Sequence, residues 1–223
     1  MGSSIDQVSK PDYKKWDLFL QKYVSKDGWV DYQKVKLNQN EISTIVNSFS
    51  KFQPNKTWTQ DEQMAFWINV YNANTIWVVT QNYPIKSIQN LDNGKTWDVK
   101  RIKIANKKYS LNDIENTKLR SDFKDARIHF VLNCAAKSCP PLLNRAYLPN
   151  NLNQQMEEQT KNFFNHSKYQ NIRADNAQLS KILEWYASDF GNLITFINRY
   201  STQKVSSKTK ITYLEYDWSL NSK

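Results

Sequence analysis

A histidine and two cysteines lie within eleven residues of this chain, at His129, Cys134 and Cys139. The sequence contains only two histidines and two cysteines in 223 residues, so most of its nucleophilic chemistry falls in one segment. An imidazole close to a thiol favours the thiolate, which is the reactive form of cysteine. The segment therefore predicts a catalytic thiol, with other uses of the sulfur atoms as alternatives.

The two cysteines are not equivalent candidates. Cys134 follows an apolar run, where catalytic groups are often held, and is the first candidate nucleophile. Cys139 precedes Pro140 and Pro141, which favour a helical turn whose free N–H groups would stabilise a thiolate, so Cys139 is the alternative nucleophile. A disulfide between the two and a purely structural role for buried thiols both stay open.

The apolar run at 127–134 predicts a buried strand that carries the histidine. Side chains alternate between the two faces of a strand. A regular strand would therefore place His129 and Cys134 on opposite faces. The two can meet only if the chain bends near Asn133, or if the turn at 135–138 brings a thiol back.

A Cys–His pair works better when a third group orients the imidazole. Glu115, on a short helix predicted just before the strand, is the candidate, and Asp113 and Asp125 are its competitors. Arg127 would lie on the same strand face as His129. Its planar guanidinium could there form a bidentate pair with Glu115 or with a carboxylate of the substrate.

Three further residues are candidates for substrate contact. Thr59 and Glu62 form a capping box that opens the strongest predicted helix, and Asn69 and Asn72 lie one turn apart on it. These amides could polarise a substrate carbonyl, although tying loops to the core is the favoured interpretation. Ser138, in the turn between the cysteines, is the third candidate.

The remaining pattern predicts an α+β fold. It indicates a helix-rich single domain over 11–223 around a small antiparallel or mixed sheet, after a flexible N-terminal segment at 1–10. Helices are predicted at 13–24, 41–49, 59–81, 111–119, 150–164, 182–190 and 193–200, and short strands at 28–32, 97–104, 127–134, 171–173, 177–179 and 211–216.

The composition excludes several classes of binding partner. The net charge is +10, but the lysines are scattered rather than interleaved with aromatic residues, so nucleic acid is not expected. No stretch is long and apolar enough to span a bilayer. No metal site is predicted because two cysteines and one nearby histidine lack a fourth ligand, and no cofactor motif is present. A small peptide or small-molecule substrate is the expected partner, and the oligomeric state stays open.

The compartment also stays open. Met1-Gly-Ser-Ser is typical of an engineered start, from which a natural signal would have been removed. Export to a periplasm, or attachment as a lipoprotein, is therefore one alternative for this chain.

In these motifs the chain resembles the DUF547 family, and the likeness runs from about residue 28 to the C-terminus. The stretches that carry it are 66–73 (FWINVYNA), 111–120 (LNDIENTKLR), 125–134 (DARIHFVLNC), 138–142 (SCPPL), 185–186 (WY), 189–190 (DF) and 216–221 (YDWSLN). The resemblance implies a single domain with the segment from His129 to Cys134 at its centre. It also suggests, by analogy, a papain- or transglutaminase-like thiol hydrolase.

The resemblance adds detail to the candidate site. The resemblance implies that family members in plants often carry Ser at the second cysteine position, which favours Cys134 over Cys139 as the nucleophile. The family pattern also often shows Gly where this chain has Ala135, a departure that bears on backbone access at the oxyanion site. Peptides with a γ-glutamyl group, such as glutathione, are the substrate class that the resemblance suggests.

The sequence as a whole leads to one expectation and one alternative. The expectation is a cysteine-dependent hydrolase or acyl transferase that cleaves an amide or thioester, with Cys134 as nucleophile, His129 as base, Glu115 orienting the base, and N–H groups of 135–139 binding the oxyanion. The alternative is a non-catalytic module that binds a peptide or small ligand and uses its thiols for packing.

Overall fold

The structure, a computed structural model, describes residues 10–223. Its α-helices are α1 (Lys14–Tyr23), α2 (Tyr32–Leu37), α3 (Gln39–Phe49), α4 (Gln60–Asn82), α5 (Leu152–Asn165), α6 (Ile182–Trp185) and α7 (Leu193–Tyr200). The flexible segment predicted at 1–10 lies outside the described residues apart from Lys10.

The central helix α4 begins at the predicted capping box. The Thr59 hydroxyl accepts a hydrogen bond from the Glu62 N–H, and the Glu62 carboxylate accepts one from the Thr59 N–H. Every residue from Met64 to Thr80 except Trp77 is buried. A helix that is apolar on all sides has to be enclosed by its neighbours, as the sequence predicts for this one.

Two small sheets complete the α+β fold. Strands β1 (Ile102–Ile104) and β2 (Lys107–Tyr109) form an antiparallel hairpin. The second sheet is mixed, with β3 (Asn171–Ile172) antiparallel and β5 (Lys210–Tyr213) parallel to the middle strand β4 (Asn176–Leu179). A helix-rich single domain with small sheets is therefore confirmed.

Short helical segments form much of the site. They are 3-10 turns at Ile88–Asn90, Asp92–Gly94, Thr96–Asp98, Ala126–Phe130, Pro149–Asn151 and Ala187–Asp189, and a π-helical segment at Asp113–Ser121. At the start of the π-helical segment, Ser110 and Asp113 form reciprocal hydrogen bonds between their side chains and N–H groups. Wide helical turns of this kind often occur at functional sites.

The strand predicted at 127–134 is wrong, because the chain forms the 3-10 turn Ala126–Phe130 there. The Asp125 carboxylate accepts a hydrogen bond from the Arg127 N–H at 3.0 Å and starts this turn. The turn sends Ile128 into one hydrophobic cluster, with α4, and Phe130 into a second, with α5 and α7. His129 is therefore held between the two clusters, and the argument from strand alternation does not apply.

The predicted strand at 28–32 is also wrong. Val30 makes only isolated bridges to Val24 and Ser222, and Tyr32 already begins α2. Gly28 has a φ of +80°, and a Cβ placed there would lie 2.6 Å from the Leu142 nitrogen. The backbone after Cys139 therefore packs directly on Gly28, at a distance that only glycine allows.

No helix within residues 10–223 has the length and the apolar character needed to cross a membrane.

Candidate functional site

A disulfide joins Cys134 and Cys139, which is one of the alternatives that the sequence left open. The side chain of Asn133 fixes the loop between them. Its oxygen accepts hydrogen bonds from the Ala135 N–H at 2.9 Å and the Asn221 amide at 3.1 Å, and its nitrogen donates to the Pro140 carbonyl at 2.8 Å. One buried amide therefore holds both ends of the disulfide loop.

Asn72 of α4 holds the backbone just before this loop. Its nitrogen donates to the Val131 carbonyl at 3.0 Å, and its oxygen accepts from the Asn133 N–H at 2.9 Å. The amide thus satisfies the backbone of a buried segment that has no regular structure. Asn72 contacts the chain itself, in line with the structural role favoured from the sequence.

The C-terminal residues close the loop from the other side. The N–H groups of Lys137 and Ser138 donate to carbonyls of residues 219 and 217, and the Ala135 carbonyl accepts from Asn221. The N–H groups of Ala135 and Cys139 are also bonded within the loop. The oxyanion donors predicted in 135–139 are therefore already bonded at Ala135, Lys137, Ser138 and Cys139, because the tail residues bind this loop.

Two donors contact the sulfur atoms. The Cys134 N–H donates to the Cys139 sulfur at 2.9 Å. The Tyr216 hydroxyl lies 3.2 Å from the Cys139 sulfur and 3.3 Å from the Cys134 sulfur. Cys139 is 2% exposed, whereas Cys134 is half-buried. We call the disulfide, Asn133 and Tyr216 the sulfur wall.

His129 faces a different partner from the one predicted. Its Nε2 lies 2.8 Å from Asp189 Oδ2. Arg120 makes a bidentate contact with the same carboxylate, at 2.7 and 2.9 Å. The orienting role predicted for Glu115 therefore falls to Asp189, which the 3-10 turn Ala187–Asp189 brings to the ring from sixty residues away in sequence.

Burial and charge set the protonation of this pair. The His129 ring stacks on Tyr186 with centroids 4.0 Å apart. Burial lowers the pKa of His129 to about 4, although Asp189 acts in the opposite direction. Arg120 and His129 hold the pKa of Asp189 below its usual range. At neutral pH the imidazole is therefore neutral, and a carboxylate at Nε2 favours the tautomer with the proton on that nitrogen.

Glu115 points to tyrosines instead of to the histidine. It accepts hydrogen bonds from the Tyr186 hydroxyl at 2.7 Å and the Tyr71 hydroxyl at 3.3 Å. Burial raises the pKa of Glu115, and these hydrogen bonds act against that shift. Glu115 thus positions Tyr186, which covers the His129 ring. We call His129, Asp189, Arg120, Tyr186 and Glu115 the imidazole wall.

A cavity of about 390 Å³ is lined by residues from both walls. His129, Glu115, Cys134 and Cys139 all line it, so the structure brings these four candidates to one cavity. Aromatic side chains supply much of its remaining surface, namely Tyr71, Trp97, Trp185, Tyr186, Tyr216 and Trp218.

The other predicted substrate contacts lie outside this cavity. Arg127 pairs with Asp125 and Glu157, so the prediction that it holds Glu115 is wrong. Asn69 accepts from Trp16 and donates to the Tyr147 carbonyl, which makes it a brace in the core. The Ser138 hydroxyl accepts from the Asp217 N–H and fixes the tail.

Sequence reasoning missed Asp189, Tyr216, Asn133 and the aromatic lining. The Asp189-Phe190 and Tyr216 motifs were visible in the sequence, but their distance along the chain concealed their contact with the cysteine segment. Among residues 10–223, no group of three or more His, Cys, Asp or Glu side chains is placed to hold a metal ion.

The family model described as "Protein of unknown function, DUF547" matches residues 55–164. These residues form a DUF547 domain. No curated protein and no solved structure matches the chain.

The DUF547 match covers only part of the site. It includes Glu115, His129 and both cysteines, whereas Asp189 and Tyr216 lie beyond it. The likeness that the sequence suggested for 28–54 and for 165–223 stays a prediction. The matched region therefore contains most of the sulfur wall, and its imidazole receives its carboxylate partner from outside that region.

Proposed function

We propose that this protein is a cysteine-dependent hydrolase or acyl transferase that cleaves an amide or thioester bond and works in its reduced form. The observation that carries the proposal is that His129, which is paired with Asp189, lines the same cavity as the two sulfur atoms. A neutral imidazole whose Nε2 is held by a carboxylate keeps Nδ1 free to act as a base.

Reduction comes first in this scheme. A dithiol reductant supplies two electrons and two protons and converts the disulfide to two thiols, itself becoming a disulfide. Cys134 is the more exposed sulfur, so the reductant attacks there and Cys139 leaves. The Cys134 N–H and the Tyr216 hydroxyl, which contact the Cys139 sulfur, would stabilise the departing thiolate.

Catalysis then uses the same groups. His129 accepts the Cys134 proton, the thiolate attacks the substrate carbonyl, and the imidazolium returns a proton to the departing amine or thiol. Water or another acceptor then releases the acyl group from Cys134. The Cys134 N–H, the Ala136 N–H and the Tyr216 hydroxyl are the candidate oxyanion donors, because the N–H groups of Ala135, Lys137, Ser138 and Cys139 are bonded elsewhere.

The two cysteines provide a matched pair of variants for testing this. Turnover is measured on a simple acyl thioester and on aminoacyl and γ-glutamyl p-nitroanilides, with and without dithiothreitol. The wild type should be active only when reduced, Cys139→Ser should be active without reductant, and Cys134→Ser should be inactive in both conditions. Equal turnover by Cys134→Ser and the wild type would overturn the assignment.

A non-catalytic binding module is the second candidate function. It is favoured by the disulfide, which leaves no free cysteine among the described residues. It predicts no turnover by any variant, together with ligand binding that is the same in the oxidised and reduced proteins.

A further inference from the structure

The cavity differs in charge from the rest of the chain. The protein carries 31 Lys and Arg residues against 21 Asp and Glu, yet the residues that line the cavity include Asp98 and Glu115 and no lysine or arginine. The nearby Arg120 is paired with Asp189 behind the Tyr186 ring. The charged side chains that line the cavity are therefore acidic, although the net charge of the protein is positive.

The aromatic lining supplies a second, independent feature. Trp185, Tyr216 and Trp218 contact one another, with ring centroids 4.6 to 5.9 Å apart, and Trp97 meets Trp218 at 5.7 Å. Trp185 is 46% exposed, so this large apolar group stands at the cavity edge in contact with water. Faces of Trp and Tyr rings attract cations, most strongly where water is displaced.

We propose that this cavity binds an organic ammonium group, with the aromatic faces around the cation and the carboxylates of Asp98 and Glu115 balancing its charge. Asp98 accepts a hydrogen bond from the Asn112 amide and makes no ion pair among the described residues, so its charge is available at the rim. The cavity lining contains no lysine or arginine that would compete with a ligand for these carboxylates.

This proposal rests on the proposed function in one respect: we take the ammonium group to be part of the substrate of the hydrolase or acyl transferase. An ammonium held at the Trp185 side would orient the rest of a substrate relative to the disulfide. The carboxylate of a peptide would find no lysine or arginine in this lining, so the cavity suits the amine end of a substrate.

The test uses choline and its neutral isostere 3,3-dimethylbutan-1-ol, which differ in charge and hardly in shape. Both are titrated calorimetrically into the oxidised protein at low ionic strength. Glucose is titrated in the same way, because an aromatic cavity could also bind an uncharged sugar. Choline should bind about tenfold or more tightly than the isostere. Equal binding of the two, preference for glucose, or no binding of choline would each overturn the proposal.

Variants locate the binding. Trp185→Leu and Asp98→Asn should each weaken choline binding several-fold, whereas Asp175→Asn, an exposed aspartate in the turn between β3 and β4, should leave it unchanged. Equal loss in the Asp98 and Asp175 variants would assign the effect to net charge and contradict the site. The oxidised protein has no free thiol, so these results stand apart from the outcome of the turnover experiments.

Discussion

The two walls of the cavity are held in different ways. The sulfur wall is fixed by neutral hydrogen bonds from Asn133, from the backbone and from the C-terminal tail. The imidazole wall is fixed by charge, with His129 and Arg120 sharing the Asp189 carboxylate. Neutral hydrogen bonds do not take up protons in mild acid, whereas an imidazole does. The two walls should therefore respond differently to mutation and to acid.

The largest effect is expected from breaking the sulfur wall at Asn133. Asn133→Ala leaves the Ala135 N–H, the Pro140 carbonyl and the Asn221 amide without this partner inside the protein. Each buried polar group without a partner costs about 1–3 kcal/mol, so the free energy of unfolding should fall by about 4 kcal/mol. Chemical denaturation of the oxidised protein measures the change.

Asn74→Ala is the matched control for this prediction. Asn74 is also buried, but its amide donates only to the Val70 carbonyl of its own helix. Its replacement should cost about 1 kcal/mol or less, since alanine favours the helix. Similar losses in the two variants would show that the disulfide loop does not depend on Asn133 as argued.

The imidazole wall should show the second-largest effect, as a dependence of stability on pH. The pKa of His129 is about 4 in the folded protein and 6.5 when unperturbed. Between these values the unfolded chain binds more protons, so stability falls as the pH is lowered from about 6.5 to about 4. The shift corresponds to about 3 kcal/mol. Glu115, whose pKa is raised, partly offsets this loss towards the acid end of the range.

Comparison of variants isolates the histidine. Unfolding is measured at pH 7 and at pH 4.5 for the wild type, for His129→Gln and for His166→Gln, whose histidine is exposed. The loss on acidification should be much smaller in His129→Gln and unchanged in His166→Gln. An undiminished loss in His129→Gln would assign the acid sensitivity to other groups.

The contrast between the walls also explains which parts of the molecule the sequence could predict. The helices α4 and α5 follow from local periodicity and capping, and they were predicted close to their observed bounds. The segment at 127–134 was not, because its apolar run resembles a strand. Its turn depends on Asp125, and its satisfied backbone depends on Asn72, which lies far away in sequence.

The same physical reason separates the predicted site residues from the missed ones. His129, Cys134 and Cys139 were found because they cluster along the chain. Asp189 meets His129 only through the packing of the second hydrophobic cluster, which local patterns do not encode. Glu115 was placed near the site correctly, but its partner was not foreseen, because the position of Tyr186 depends on the α6 region.

The smallest effect should come from Ala135. Ala135 has a φ of +65°, a left-handed conformation that costs a Cβ-bearing residue about 1 kcal/mol relative to glycine. Ala135→Gly should therefore stabilise the protein by up to about 1 kcal/mol, despite the added freedom of the unfolded chain. Ala136→Gly, at a position without a positive φ, should destabilise it by a similar amount. Thermal unfolding of both variants measures the difference, and a loss of stability in both would show that the sulfur wall holds Ala135 in this conformation without strain.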